Sequence, residues 1–162
     1  EDINDGARWM IEQGYADPKR ICIMGGSYGG YAALQTIVKD GSLYKCAVAY
    51  APITNLTGLI NTMERNEGFK IYEDYLRSDD WTFDQASPLE NIDKLNVPIL
   101  LLHSEKDLNS PVRQSRSFYN KMDKAGKNIK YKEFKGGNHF LSDEKQRREF
   151  LQEVEQFLEQ YL

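Results

Sequence analysis

The chain has 162 residues, of which 40% are hydrophobic and 28% charged, and its net charge is −4. That is the size of one domain, with about 70% of the unfolded surface buried on folding. The mild acidity gives no electrostatic reason for a nucleic-acid or anionic-membrane partner, no apolar run approaches a membrane span, and no Cys/His grouping has metal-ligand spacing, so neither metal nor cofactor is implied. With Glu1 rather than Met at the start, the lack of a signal-peptide pattern leaves the compartment open: cytoplasmic or, given a leader upstream, periplasmic or secreted.

Ile3, Ala7, Met10 and Ile11 recur at helical spacing and predict a helix over 2–13, stopped by Gly14. Asp17-Pro18 marks a turn, and Arg20 to Met24 is the first strand. A helix follows from about Ser27 to Lys39, ended by Asp40-Gly41. Cys46 to Tyr50 is a second apolar strand, ended by Ala51-Pro52. Cys22 and Cys46 both lie in apolar strand runs and read as small buried hydrophobes rather than a disulfide.

Residues 53–91 scatter their apolar positions (Leu56, Leu59, Ile60, Met63, Phe69, Ile71, Tyr72, Tyr75, Leu76, Trp81 and Phe83). They predict short helices and loops inserted between two strands, where such folds carry substrate pockets. Ile99 to His103 is a third strand, apolar throughout as in a sheet covered on both faces. After a polar loop from Ser104 to Asn109, Ser110 and Pro111 form a helix start, cap then first turn. That helix runs to about Ala125, with Ser115, Phe118, Tyr119 and Met122 on one face, and Gly126 ends it. Ile129 to Phe134 alternates like a strand nearer the sheet edge. Ser142 is placed to cap a last helix to about Tyr161, with Phe150, Val154, Phe157 and Leu158 as its buried stripe. Helix, then strand and helix four times over, predicts an α/β fold with a parallel sheet, in one domain over 1–162.

Gly25-x-Ser27-x-Gly29 has the spacing of a nucleophile elbow, in which a serine sits on a strained strand-to-helix turn. The glycines are assigned a steric role, because strand and helix approach too closely there for a Cβ. A dinucleotide fingerprint is excluded by Ser27 at its middle position, and a P-loop by Tyr31 after Gly30. The plainer reading is a small-residue turn that lets a helix pack on a sheet. Residues further along the chain decide between them. A nucleophilic serine needs a base, and the base an acid that fixes its tautomer. In α/β hydrolases they come in the order serine, acid, histidine, on loops after strands. Ser27 follows the first strand, Asp107 the third and His139 the fourth. Glu105 is the rival acid, and His103, closing an apolar strand, the rival base. The Tyr28 N–H is the candidate oxyanion donor.

Gly25-Gly26-Ser27-Tyr28-Gly29-Gly30-Tyr31, preceded by Gly14-Tyr15-Ala16-Asp17-Pro18-x-Arg20-Ile21, resembles the prolyl oligopeptidase family of serine peptidases. Ala51-Pro52-Ile53, Ser87-Pro88, Pro98 to His103 and Gly137-Asn138-His139 fit the same family. The resemblance covers essentially the whole chain and is strongest to the dipeptidyl-peptidase IV and acylaminoacyl-peptidase branches. It implies the C-terminal half of an α/β-hydrolase fold, with about four parallel strands. It further implies a triad of Ser27, Asp107 and His139 that cleaves short peptides through an acyl-enzyme. Tyr28 and Asn109 match substrate-contacting positions. Two departures stand out: His103-Ser104 replaces the family's His-Gly, and Leu56 and Leu59, with Met63, replace aromatic pocket residues, which implies a broader apolar pocket; Ile53 is a further substrate-binding candidate. The family's earlier strands, its second oxyanion donor and an upstream β-propeller are not in the sequence, so the chain is expected to be part of a longer enzyme, self-associating through an exposed sheet edge. A carboxylesterase of the same architecture, and a non-catalytic binding or assembly module, are the alternative functions.

Overall fold

The structure is a computed structural model that describes residues 2–63, 73–74 and 76–162. In chain order it contains α1 (Asp2–Glu12), β1 (Cys22–Gly26), α2 (Tyr28–Asp40), β2 (Cys46–Tyr50), α3 (Leu56–Met63), a 3-10 segment (Pro88–Lys94), β3 (Ile99–Ser104), α4 (Arg113–Lys124), β4 (Ile129–Phe134) and α5 (Glu144–Tyr161). Phe69, Ile71, Tyr72 and Tyr75 of the expected insertion lie outside the described residues.

The four strands form one sheet in the order β1-β2-β3-β4, parallel throughout. Strand periodicity divides the core in two. Ala47, Ala49, Ile99 and Leu101 face α2, α4 and the 3-10 segment, meeting Leu34, Ile37, Leu95, Phe118 and Met122. Their neighbours Cys46, Val48, Leu100 and Leu102 face α5, meeting Val154 and Phe157. The two middle strands are buried along their whole length, the reason their sequences are continuous apolar runs. β4 is less buried than the middle strands and stands at the end of the strand order, the edge position expected of it.

Three local readings are corrected. Cys22 and Cys46 are bridged by a disulfide. They stand directly opposite one another in the β1–β2 register, with Cα atoms 4.8 Å apart, within the span that a disulfide needs. Asp143, not Ser142, caps α5, accepting a hydrogen bond from the Gln146 N–H at 2.9 Å. Ser110 does not cap α4, which begins at Arg113 behind Val112. Helix α1 also differs in its packing. Its one buried residue is Asn4, bonded to the Tyr44 hydroxyl and to the Asp40 carbonyl, whereas Ile3, Trp9 and Met10 are exposed. Gly14, at φ +74°, does end the helix as expected.

Candidate active site

Ser27 lies between the last residue of β1 and the first of α2, at φ 56° and ψ −121°. A non-glycine residue is strained there, and such strain persists only where the surroundings enforce it. Two contacts do so. The Ser27 N–H donates to the Tyr50 carbonyl at 2.8 Å, and the Ser27 carbonyl accepts from the Tyr31 N–H at 3.1 Å. The glycines share the steric work differently from expectation. A Cβ on Gly25 would lie 2.1 Å from the Gly29 carbonyl oxygen, and one on Gly30 3.0 Å from the Tyr50 carbonyl oxygen, while a Cβ on Gly29 would meet nothing within 4 Å. The close approach is therefore at Gly25 and Gly30, and Gly29 contributes its backbone. The non-glycine residues with positive φ among the described residues are Ser27, Ala51 and Leu141, one in each of three loops at the carboxyl ends of strands.

Asp107, 6% exposed, is held from both sides. Its Oδ1 accepts the Asn109 and Ser110 N–H groups, each at 2.8 Å. Its Oδ2 lies 2.7 Å from His139 Nδ1. Because an ionised carboxylate only accepts, Nδ1 of His139 carries the proton of that bond, and the neutral ring then has Nε2 free to take another. Ser110 thus serves Asp107 rather than a helix. No hydrogen bond joins the Ser27 hydroxyl to His139 among the described residues; such contacts are often long before substrate binds.

Both rivals have other occupations. Glu105 Oε2 accepts the Gly136 N–H at 2.7 Å, and together with the Lys106 N–H bond to the Gly137 carbonyl it laces the acid loop to the histidine loop. His103 is fully buried. Its Nδ1 is 2.7 Å from the Ser115 hydroxyl and its Nε2 is 2.9 Å from the Ser110 carbonyl, so Nε2 donates and Nδ1 accepts. Nε2 also lies 3.4 Å from Asp107 Oδ2. Burial is the largest influence on this imidazole and pushes its pKa down, against the Ser110 carbonyl and Asp107, which push it up.

Of the expected substrate-contacting residues, Tyr28 and Asn109 are exposed, Ile53 and Leu59 are half-buried, and Leu56 is buried and offers a substrate little surface. Two residues escaped the sequence reading. Gln114, 4% exposed, accepts the Thr54 and Asn55 N–H groups through Oε1 at 3.0 and 2.8 Å and donates to the Asn55 carbonyl at 3.0 Å, fixing the loop after β2. The signal was a polar residue one turn before Phe118 on the buried face of α4. Tyr50 is the second, and reads in the sequence as the apolar end of a strand.

A parallel sheet with its serine turn, acid loop and histidine loop at one edge defines the class: this is the C-terminal half of an α/β hydrolase. Within that class, the sequence model of the prolyl oligopeptidase family matches residues 1–162, and the chain belongs to this family of serine peptidases. It is 29% identical over 140 residues to the acylamino-acid-releasing enzyme of Arabidopsis thaliana, covering 81% of this chain and 18% of that protein. It is 28% identical over 138 residues to inactive dipeptidyl peptidase 10 of Rattus norvegicus, covering 84% of this chain and 17% of that protein. The solved acylaminoacyl peptidase of Pyrococcus horikoshii superposes with a TM-score of 0.83 at 25% identity, covering 99% of this chain and 26% of that one. The chain thus spans about a fifth of the length of the curated relatives it matches.

Proposed function

We propose that this chain carries the catalytic centre of a serine peptidase that cleaves short peptides by acyl transfer. Ser27 is the nucleophile, His139 the general base and Asp107 the acid that orients it. The observation that carries this reading is the 2.7 Å contact between Asp107 Oδ2 and His139 Nδ1, taken with a serine held at φ 56° at the strand-to-helix turn. With Nδ1–H committed to Asp107, Nε2 takes the Ser27 proton as Oγ attacks the scissile carbonyl, then returns it to the leaving amine; water repeats the cycle on the ester. The oxyanion meets the first N–H of α2, that of Tyr28, because the first N–H groups of a helix have no acceptor within it. Tyr28, Asn109, Ile53 and Leu59 border the substrate.

A second reading has a specific support. The likeness to a relative described as inactive keeps a binding or assembly module in play, and an esterase shares the same triad chemistry. A fluorophosphonate probe separates these. Covalent labelling of the full-length protein that disappears in Ser27→Ala is the expected result, and a full-length protein left unlabelled beside a reactive control hydrolase removes the catalytic reading. Turnover of p-nitrophenyl esters without turnover of aminoacyl-anilides assigns the esterase instead. For the whole protein we propose a β-propeller ahead of this unit, and for the chain itself self-association through β1.

A further inference from the structure

We infer that Tyr50 is a positioning residue that ties the serine turn to the histidine loop, with Ser104 as its buried support; this rests on the assignment of His139 as base. Tyr50 ends β2 and is 9% exposed. Its main chain and side chain serve different arms of the site. The carbonyl accepts the Ser27 N–H at 2.8 Å. The hydroxyl lies 2.9 Å from the His139 carbonyl, 3.2 Å from the Asn138 carbonyl and 3.0 Å from the Ser104 hydroxyl. The ring is braced edge-on by Phe150, with centroids 5.4 Å apart.

Proton counting gives this cluster a direction. The two carbonyls only accept, so the single phenol proton goes to them, and to His139 at the shorter distance. The phenol oxygen then accepts from Ser104. The Ser104 hydroxyl is fully buried and has no other side-chain partner among the described residues, so losing the phenol would leave a buried polar group unpaired. Burial pushes the Tyr50 hydroxyl pKa up, keeping it a donor. The chain Ser104 to Tyr50 to His139 also gives the serine that stands in place of the family's glycine a task. A Cβ on Gly137 would lie 3.0 Å from Ser104 Oγ, so the histidine loop closes directly over this pair.

Tyr50→Phe removes one oxygen and keeps the ring. In the whole protein, kcat per folded molecule should fall about 10–100-fold with KM changed less than about twofold, the signature of a misplaced base rather than a damaged pocket. The low-field proton of His139 Nδ1 should exchange faster with water in its NMR spectrum. Ser104→Ala should lose less, and the double variant no more than Tyr50→Phe alone, because Ser104 acts through the phenol. A Tyr50→Phe protein with unchanged kcat and an unchanged Nδ1 proton overturns the inference, as does a double variant whose loss is the product of the single losses. If His139→Gln keeps wild-type activity, the base assignment fails by itself; the Nδ1 proton then still reports whether Tyr50 holds the ring.

Discussion

At the scale of single residues, the two histidines show how environment divides one side-chain type between two tasks. His139 has one nitrogen on Asp107 and the other, among the described residues, uncommitted. His103 has both nitrogens bound and no exposure. Burial lowers the His103 pKa below its usual 6.5. The unfolded chain takes up a proton near that value, and the folded chain only at lower pH. Stability from this residue is therefore complete above pH 6.5 and is lost as pH falls toward the folded pKa, by at most about 1.4 kcal/mol per pH unit. Thermal melts from pH 7.5 to 5 should show a slope that flattens in His103→Gln; an identical slope in both proteins refutes this account. The three proposed site residues were picked out in the sequence because each sits in a loop after a strand, in the chain order serine, acid, histidine, and the structure brings Asp107 and His139 together. Tyr50 and the disulfide were not. A tyrosine ending a strand and cysteines within apolar runs look like core, and only strand register puts Cys22 beside Cys46 or aims a phenol at a loop two strands away.

At the scale of elements, the elbow makes a sharp distinction between two glycines of one motif. Gly25→Ala places a methyl 2.1 Å from the Gly29 carbonyl oxygen, and β1 and α2 must separate to admit it. A loss of about 3 kcal/mol is expected in chemical denaturation. Gly29→Ala, inside α2 with nothing within 4 Å of the new atom, should change stability by no more than about 1 kcal/mol and gains helix propensity. Equal losses for both would mean that the turn, not the strand–helix contact, sets the requirement. The disulfide acts on the same pair of strands. It closes a loop with a sequence separation of 24 that contains the whole of α2, so reduction should cost about 3.5 kcal/mol by loop entropy. A melting temperature unmoved by reductant, with both thiols shown free by titration, contradicts that. Sequence periodicity found all four strands and the flanking helices, since long buried runs and amphipathic stripes are strong signals. It also found α1, but there the buried residue is the polar Asn4, Ala7 packs on the core, and Ile3 and Met10 of the apolar stripe are exposed.

At the scale of the molecule, the sheet has two edges of different character. β4 carries Lys130, Lys132 and Glu133, and its lysines pair with Glu153 and Glu149 of α5, the charged decoration that discourages strand addition. β1 has no such guard. Among the described residues nothing pairs with its outer side, its sequence is Cys22-Ile23-Met24-Gly25-Gly26 with no charge, and Met24 is 50% exposed. Unpaired N–H and C=O groups along an uncharged strand are a template for a second copy. The expected outcome is a weight-average mass in light scattering that rises with concentration for the 162-residue chain. Met24→Lys, which puts a charge on that edge without entering the core, should shift the rise to higher concentration. A monomer across the whole range removes the proposal. A concentration-dependent mass that Met24→Lys leaves unchanged moves the contact away from β1, and the exposed Ile3, Trp9 and Met10 of α1 are then the surface to substitute.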